Sequence, residues 1–238
     1  ETQLWIYDEA TMVWSSIPTT ENRFYSSAVT DGNIAIFAGG LTMSDNPSSI
    51  LDGFSVSGAY EIYDSQTDTW TTGNLGPGSA RAKISACHCN GYFVFAGGSV
   101  AHDVGSPRID IYDGTTWTAG TALPAARFTL ATSGTQTAGM AFGGNDGSNI
   151  KNTSFNFDGS SWTATPNLST ARDGLGGSPS GSNTAAVASG GRQPGPANSS
   201  LTEEFNITAL TITAGAWSSG TNYPVTIQDA AGAGPTTA

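Results

Sequence analysis

Residues 127–162 read RFTLATSGTQTAGMAFGGNDGSNIKNTSFNFDGSSW, and the order of landmarks in this stretch decides the fold. An Arg opens it, a run of small residues follows, and the apolar run Ala138-Gly139-Met140-Ala141-Phe142 is closed by Gly143-Gly144. Phe157-Asp158 and then Trp162 complete it. The same order recurs along the chain. Gly pairs stand at Gly39-Gly40, Gly97-Gly98, Gly143-Gly144 and Gly190-Gly191, 58, 46 and 47 residues apart. Arg23, Arg81 and Arg127 each precede the first Gly by 16 residues, and Arg172 precedes it by 18. Tyr7-Asp8, Tyr63-Asp64, Tyr112-Asp113, Phe157-Asp158 and Phe205-Asn206 lead to Trp14, Trp70, Trp117, Trp162 and Trp217. A repeat of this length points to an array of supersecondary units rather than to one irregular domain.

The runs Ile34–Ala38, Tyr92–Ala96 and Ala138–Phe142 are apolar at consecutive positions. A short strand that is apolar on both faces must be covered on both faces. A radial stack of small sheets provides that cover, and the Gly pair lets the backbone turn and approach a neighbour where the strand ends. No stretch carries a 3.6-residue apolar period, so no helix of consequence is expected.

Composition agrees. Only 11% of the 238 residues are charged, 31 are Gly and 10% are aromatic, where a typical globular domain has roughly 25% charge. Regularly spaced aromatics argue against disorder. The net charge of −11, with only eight Lys plus Arg, leaves no basic stripe for nucleic acid and disfavours an anionic membrane surface. Apolar runs of about five residues are far below the ~20 that span a bilayer, so no membrane insertion is expected. No signal peptide is read at the start. Cys87 and Cys89 stand at i, i+2 on an expected strand, too far apart for an easy bridge, and are read as free.

The ordered set of Arg near a first strand, Gly-Gly ending a second, Tyr-Asp ending a third and Trp on a fourth resembles the kelch repeat. The resemblance covers nearly the whole chain. It implies an all-β fold, a kelch-type β-propeller of four-stranded blades. Residues 1–238 are read as one such domain, with complete blades at about 23–73, 81–120, 127–165 and 172–220. Residues 2–17 supply the third and fourth strands of a terminal blade and 225–238 its first strand, giving a five-bladed ring or part of a larger one. The later blades also resemble kelch-like arrays of phage and environmental bacterial surface proteins, which implies an extracellular or virion-surface setting.

Residues that repeat once per unit, the Arg and Asp landmarks, are read as ties between strand ends and turns. Cys87-His88-Cys89 alternates across a strand, so its three side chains do not converge on a metal. Asp113-Gly114 and Asp158-Gly159 are read as turns between third and fourth strands. No phosphate loop, nucleophile elbow or zinc-protease motif is present. No metal, no cofactor and no enzymatic activity are expected on this basis.

Specificity is sought in the connections between second and third strands, which share one face with the inter-blade connections in the kelch family. The candidate binding residues are Asp45, Asn46, Asp52 and Phe54 in 41–59, His102, Asp103 and Arg108 in 99–108, Asn145 and Asp146 in 145–151, and Arg192 after the fourth Gly pair. Scattered polar groups with an occasional aromatic suit a glycan or a protein surface. The expectation is therefore a recognition propeller. Two alternatives stand beside it: a kelch-type sugar oxidase or mutarotase with part of its site outside this chain, and an intracellular adaptor.

Overall fold

The computed structural model describes residues 3–8, 12–18, 23–43, 54–75, 79–178, 181–195, 197–206 and 216–219. The described residues form four antiparallel four-stranded sheets in chain order. The first is built from Ser27–Thr30, Ile34–Ala38, Ala59–Asp64 and Thr69–Asn74, and the second from Ser85–Cys89, Tyr92–Ala96, Ile109–Tyr112 and Trp117–Ala119. The third holds Ala131–Thr135, Ala138–Phe142, Ser154–Phe157 and Trp162–Thr165, and the fourth Gly176–Gly177, Ala185–Ser189, Thr202–Asn206 and Ala216–Ser219. In each sheet, sequence neighbours are also hydrogen-bonded neighbours. A hairpin of Gln3–Asp8 and Val13–Pro18 pairs Tyr7 with Trp14, the register that Tyr63 and Trp70 hold in the first sheet. The expected strand at 225–238 lies outside the described residues.

The core lies between sheets. Ile36 and Ile62 of the first sheet pack with Phe93, Phe95 and Tyr112 of the second. Ala96, Ile109 and Leu123 pack with Leu130 and Ala141, and Ala131, Met140 and Phe142 with Ala186, Ala188 and Phe205. This is the two-sided burial that the consecutive apolar runs require. The Trp residues serve the same seams. Trp117 lies 5.1 Å from the Tyr60 ring of the preceding sheet, and Trp162 Nε1 donates to Thr121 O at 3.0 Å. Aromatic pairs at this spacing contribute ~0.5–1.5 kcal/mol beyond their buried area.

The Gly pairs make the junctions between sheets. Gly40, Gly98 and Gly144 each donate their N–H to the main-chain oxygen of the next sheet's Arg (Arg81, Arg127, Arg172), at 2.8 Å in all three cases. The preceding Gly sits against the same oxygen. A Cβ on Gly39, whose φ is +66°, would stand 2.2 Å from Arg81 O.

Each Arg then turns its side chain into its own sheet. Arg172 is fully buried, donates to Gly190 O and Leu201 O at 2.9 and 2.8 Å, and meets Glu203 Oε1 at 2.6 Å. Arg23 does the same with Gly39 O, Ala59 O and Glu61, and Arg81 pairs with Asp110 at 2.7 Å. Burial pulls the Arg172 guanidinium below its ordinary pKa, and Glu203 pulls it back up. In the third sheet the register position of Glu61, Asp110 and Glu203 is held by Phe155. There Arg127, 6% exposed, donates to Thr153 Oγ1 at 2.6 Å.

The Asp-Gly stretches are turns, as expected from sequence. Asp113 Oδ1 accepts the N–H groups of Thr115 and Thr116, and Asp158 Oδ1 those of Ser160 and Ser161. Cys87 is buried with its Sγ toward Gly134 O of the next sheet, while the His88 ring lies 4.6 Å from Phe93.

Two outcomes are expected. Gly39→Ala combines a left-handed penalty of about 1–2 kcal/mol with a clash of about 1–3 kcal/mol. Gly114→Ala, at an open turn with φ +92° and nothing within 4 Å, suffers the first penalty alone. Urea midpoints of the two variants should rank them in that order. Glu203→Ala leaves Arg172 buried without its carboxylate and should destabilise by roughly 3–5 kcal/mol, in the same assay.

Candidate functional site

The second-to-third connections are not simple loops, which departs from the sequence reading. In the first sheet Leu41–Met43 pairs with both Arg23–Phe24 and Phe54–Val56, forming a three-stranded ribbon. In the second, Ser99–Ala101 pairs with Val104–Gly105. The sequence patterns are too short for either ribbon to show as alternation. Asp45, Asn46 and Asp52 lie outside the described residues, and Phe54 opens the returning strand of its ribbon, opposite Met43.

The remaining candidates other than Arg108 form a band across three sheets. His102 and Asp103 stand at the tip of the second sheet's ribbon, with His102 Nδ1 3.1 Å from Asp103 Oδ2 and 83% of the His side chain exposed. Gly147 of the next connection presses on that tip, since a Cβ there would lie 2.0 Å from Asp103 O. Asn145 accepts the Gly147 N–H on Oδ1 at 2.8 Å and donates its amide to Asp173 Oδ2 at 3.4 Å. Asp173, itself buried, is held by two hydrogen bonds from Arg192, from Nε at 3.0 Å and from its terminal nitrogen at 2.7 Å. Asp146 pairs with Lys151 Nζ at 2.6 Å and caps the N–H groups of Ser148 and Asn149. The lysine's hydrogen bond is the main reason its carboxyl sits far below the usual carboxylate range. Arg108 is set apart from this band. Its Nε donates to Asp110 Oδ1 at 2.9 Å, so it braces the buried Arg81–Asp110 pair.

One constellation was missed from sequence. Two residues after each repeated Arg, at Tyr25, Lys83, Thr129 and Gly174, the backbone is left-handed, with φ of +54°, +56°, +51° and +58°. These residues hydrogen-bond in series from sheet to sheet. Lys83 N–H donates to Tyr25 O at 2.9 Å, Thr129 N–H to Lys83 O at 3.1 Å, and Gly174 N–H to Thr129 O at 2.9 Å. They precede the first strands of their sheets, whose mutual contacts join neighbouring sheets, and so they line the inner edge of the same face. Tyr25 is 58% exposed and Phe24 beside it is 49% exposed. Lys83 Nζ lies over the rings of Tyr25 and Phe128, at 5.4 and 5.1 Å from their centroids. A left-handed non-Gly residue costs about 1–2 kcal/mol. Gly174 shows that the scaffold also accepts Gly at this position, and Tyr25 and Lys83 are the two that place a large side chain there. The constant Arg-plus-two spacing was the signal available in the sequence.

A hollow of about 430 Å³ lies on the first sheet at the opposite end, lined by Ala35, Phe37 and Tyr63 among others. Their register equivalents in the second sheet, Phe93, Phe95 and Tyr112, are buried against the first sheet. The hollow is thus the sheet-packing surface of the fold.

No family model matches the sequence, and no curated protein does either. Among solved structures 185 chains match, so the architecture is common and names no ligand by itself. One of them, the structure of YjhT, matches with a TM-score of 0.72 at 12% identity, over 89% of this chain and 75% of that chain. At that identity the likeness carries the fold, a β-propeller of antiparallel four-stranded sheets. The shared propeller counts against the expectation that the chain has no enzymatic role. The expectation rested on missing motifs, and chemistry on a shared scaffold resides in side chains that need follow no motif.

Because the Asp146 carboxyl is held below its ordinary value, its contribution is present above the unfolded pKa of ~3.9 and is lost as pH falls through the depressed folded value. Wild type should therefore exceed Asp146→Asn in thermal stability throughout neutral and mildly acid pH. The gap should close only in strong acid, as read by melting curves across a pH series.

Proposed function

We propose that this chain is the propeller of a carbohydrate-active protein, kelch-type in its repeats, which seats a saccharide at the inner edge of the face carrying the second-to-third connections. The observation that carries this reading is Tyr25, a large aromatic more than half exposed and held in left-handed backbone. A sugar ring presents C–H groups on its faces and hydroxyls on its rim. An exposed aromatic covers the first at low entropic cost. The hydroxyls would meet the prearranged band of Asn145, Asp173 and Arg192, whose mutual hydrogen bonds reduce the ordering cost of binding. The fold shared with YjhT fits the kelch-type repeats, a resemblance that includes sugar oxidases and mutarotases. An extracellular or virion-surface setting, implied by the resemblance of the later repeats, goes with this proposal.

A glycan array on the purified chain, with product analysis of each bound sugar, tests the reading. Tyr25→Gly suits the left-handed backbone, so it removes the ring without disturbing the fold. It should weaken the best array ligand by about 30-fold, the scale of an aromatic hot spot of ~2 kcal/mol. An array with no bound glycan, or a Tyr25→Gly variant of unchanged affinity, would overturn the proposal.

A further inference from the structure

We infer that the site at this inner edge selects an anionic saccharide, one carrying a carboxylate or a sulfate ester, and that Lys83 is the group that reads the charge. The inference rests on the carbohydrate reading above. Its starting point is how the chain disposes of its few cations. There are eight Lys plus Arg against nineteen Asp plus Glu. Among the described residues, six of the eight are in ion pairs: Arg23 with Glu61, Arg81 and Arg108 with Asp110, Lys151 with Asp146, Arg172 with Glu203, and Arg192 with Asp173. Arg127 is buried and hydrogen-bonded to Thr153. Lys83 is the remaining one. Among the described residues no carboxylate lies within ion-pair distance of its Nζ, and no oxygen accepts from it.

The surroundings of Lys83 hold its ammonium in place and leave its hydrogen-bonding capacity unused. The rings of Tyr25 and Phe128, from the sheets before and after its own, flank Nζ. Aromatic faces attract a cation but offer no oxygen acceptor, and an ammonium carries three donors. The backbone on both sides is pinned, with Lys83 N–H on Tyr25 O and Lys83 O on Thr129 N–H. The lysine is therefore presented from a fixed point, over one face of the exposed ring of Tyr25. A substituent on a sugar seated against that ring comes within reach of Nζ. In a chain of net charge −11, where nearly every other cation is neutralised internally, an ammonium left over at this position favours an oxyanion over a hydroxyl. Charge-assisted hydrogen bonds are about twice as strong as neutral ones.

Isothermal titration with three tetrasaccharides of one backbone, neutral, uronic-acid and sulfated, tests this on the whole chain. At least one anionic ligand should bind about tenfold more tightly than the neutral one, equivalent to ~1.4 kcal/mol. The arm that shows the gain identifies carboxylate or sulfate as the source. In Lys83→Gln the anionic-to-neutral affinity ratio should collapse to near one, and in Lys83→Arg it should persist, with melting curves confirming that both variants fold. Neutral and anionic ligands of equal affinity, or a ratio that survives in Lys83→Gln, would overturn the inference and leave the carbohydrate reading standing. Failure of all three to bind, together with an empty glycan array, would remove both.

Discussion

The structure depends on one main-chain oxygen per repeat. The carbonyl of each Arg from the second sheet onward accepts the N–H of the second Gly in the preceding sheet at 2.8 Å, in all three junctions. The approach is close enough that the first Gly can carry no side chain. The same Arg sends its guanidinium into its own sheet, Arg172 to two strand-end carbonyls and Glu203, Arg81 to Asp110 and Arg127 to Thr153. One residue thus couples two sheets through its backbone and secures one through its side chain. The arrangement is demanding, because a buried guanidinium must find its partners or lose the solvation it gave up.

That requirement explains both the regularity and the one departure. In the first, second and fourth sheets a carboxylate at the same register meets the Arg. In the third, Phe155 takes the position, the Thr153 hydroxyl takes one donor of Arg127, and only the more distant Asp146 opposes the effect of burial. The third sheet is also the one whose Asp146 is most firmly engaged, by Lys151 and two backbone N–H groups. The connection there is stiffened by its own polar groups, and this steadies the edge of the band that leads to Asp173 and Arg192.

The junction also sets where a ligand can be met. Closing one sheet on the next forces the residue two positions after each Arg into left-handed backbone, and these residues line the inner edge of the face. The scaffold asks only for that conformation, which Gly174 supplies without a side chain. Tyr25 and Lys83 supply it with side chains, and their rings and charge are thereby fixed in direction. The outer connections, two of them built as short ribbons, differ in length from sheet to sheet and can vary without touching the junctions.

The sequence by itself determined the sheets, their order and their junction residues. Each is a local demand repeated at constant spacing: consecutive apolar residues in Tyr92–Ala96 must be covered twice, Gly97-Gly98 must turn, and Asp113-Gly114 must reverse the chain. The turns and the doubly covered strands followed from those demands, and their grouping into four-stranded sheets from the resemblance to the kelch repeat. Tertiary structure decided which polar residues act together. Asn145, Asp173 and Arg192 are far apart in sequence and join only because adjacent sheets bring their connections within hydrogen-bond reach. Arg108 looked available on the same grounds as Arg192, yet folding commits it to Asp110. Tyr25 and Lys83 carried no motif, and their spacing from Arg could be seen, but its meaning could not. A left-handed backbone at the inner edge is imposed by the contact between sheets, which no single repeat contains.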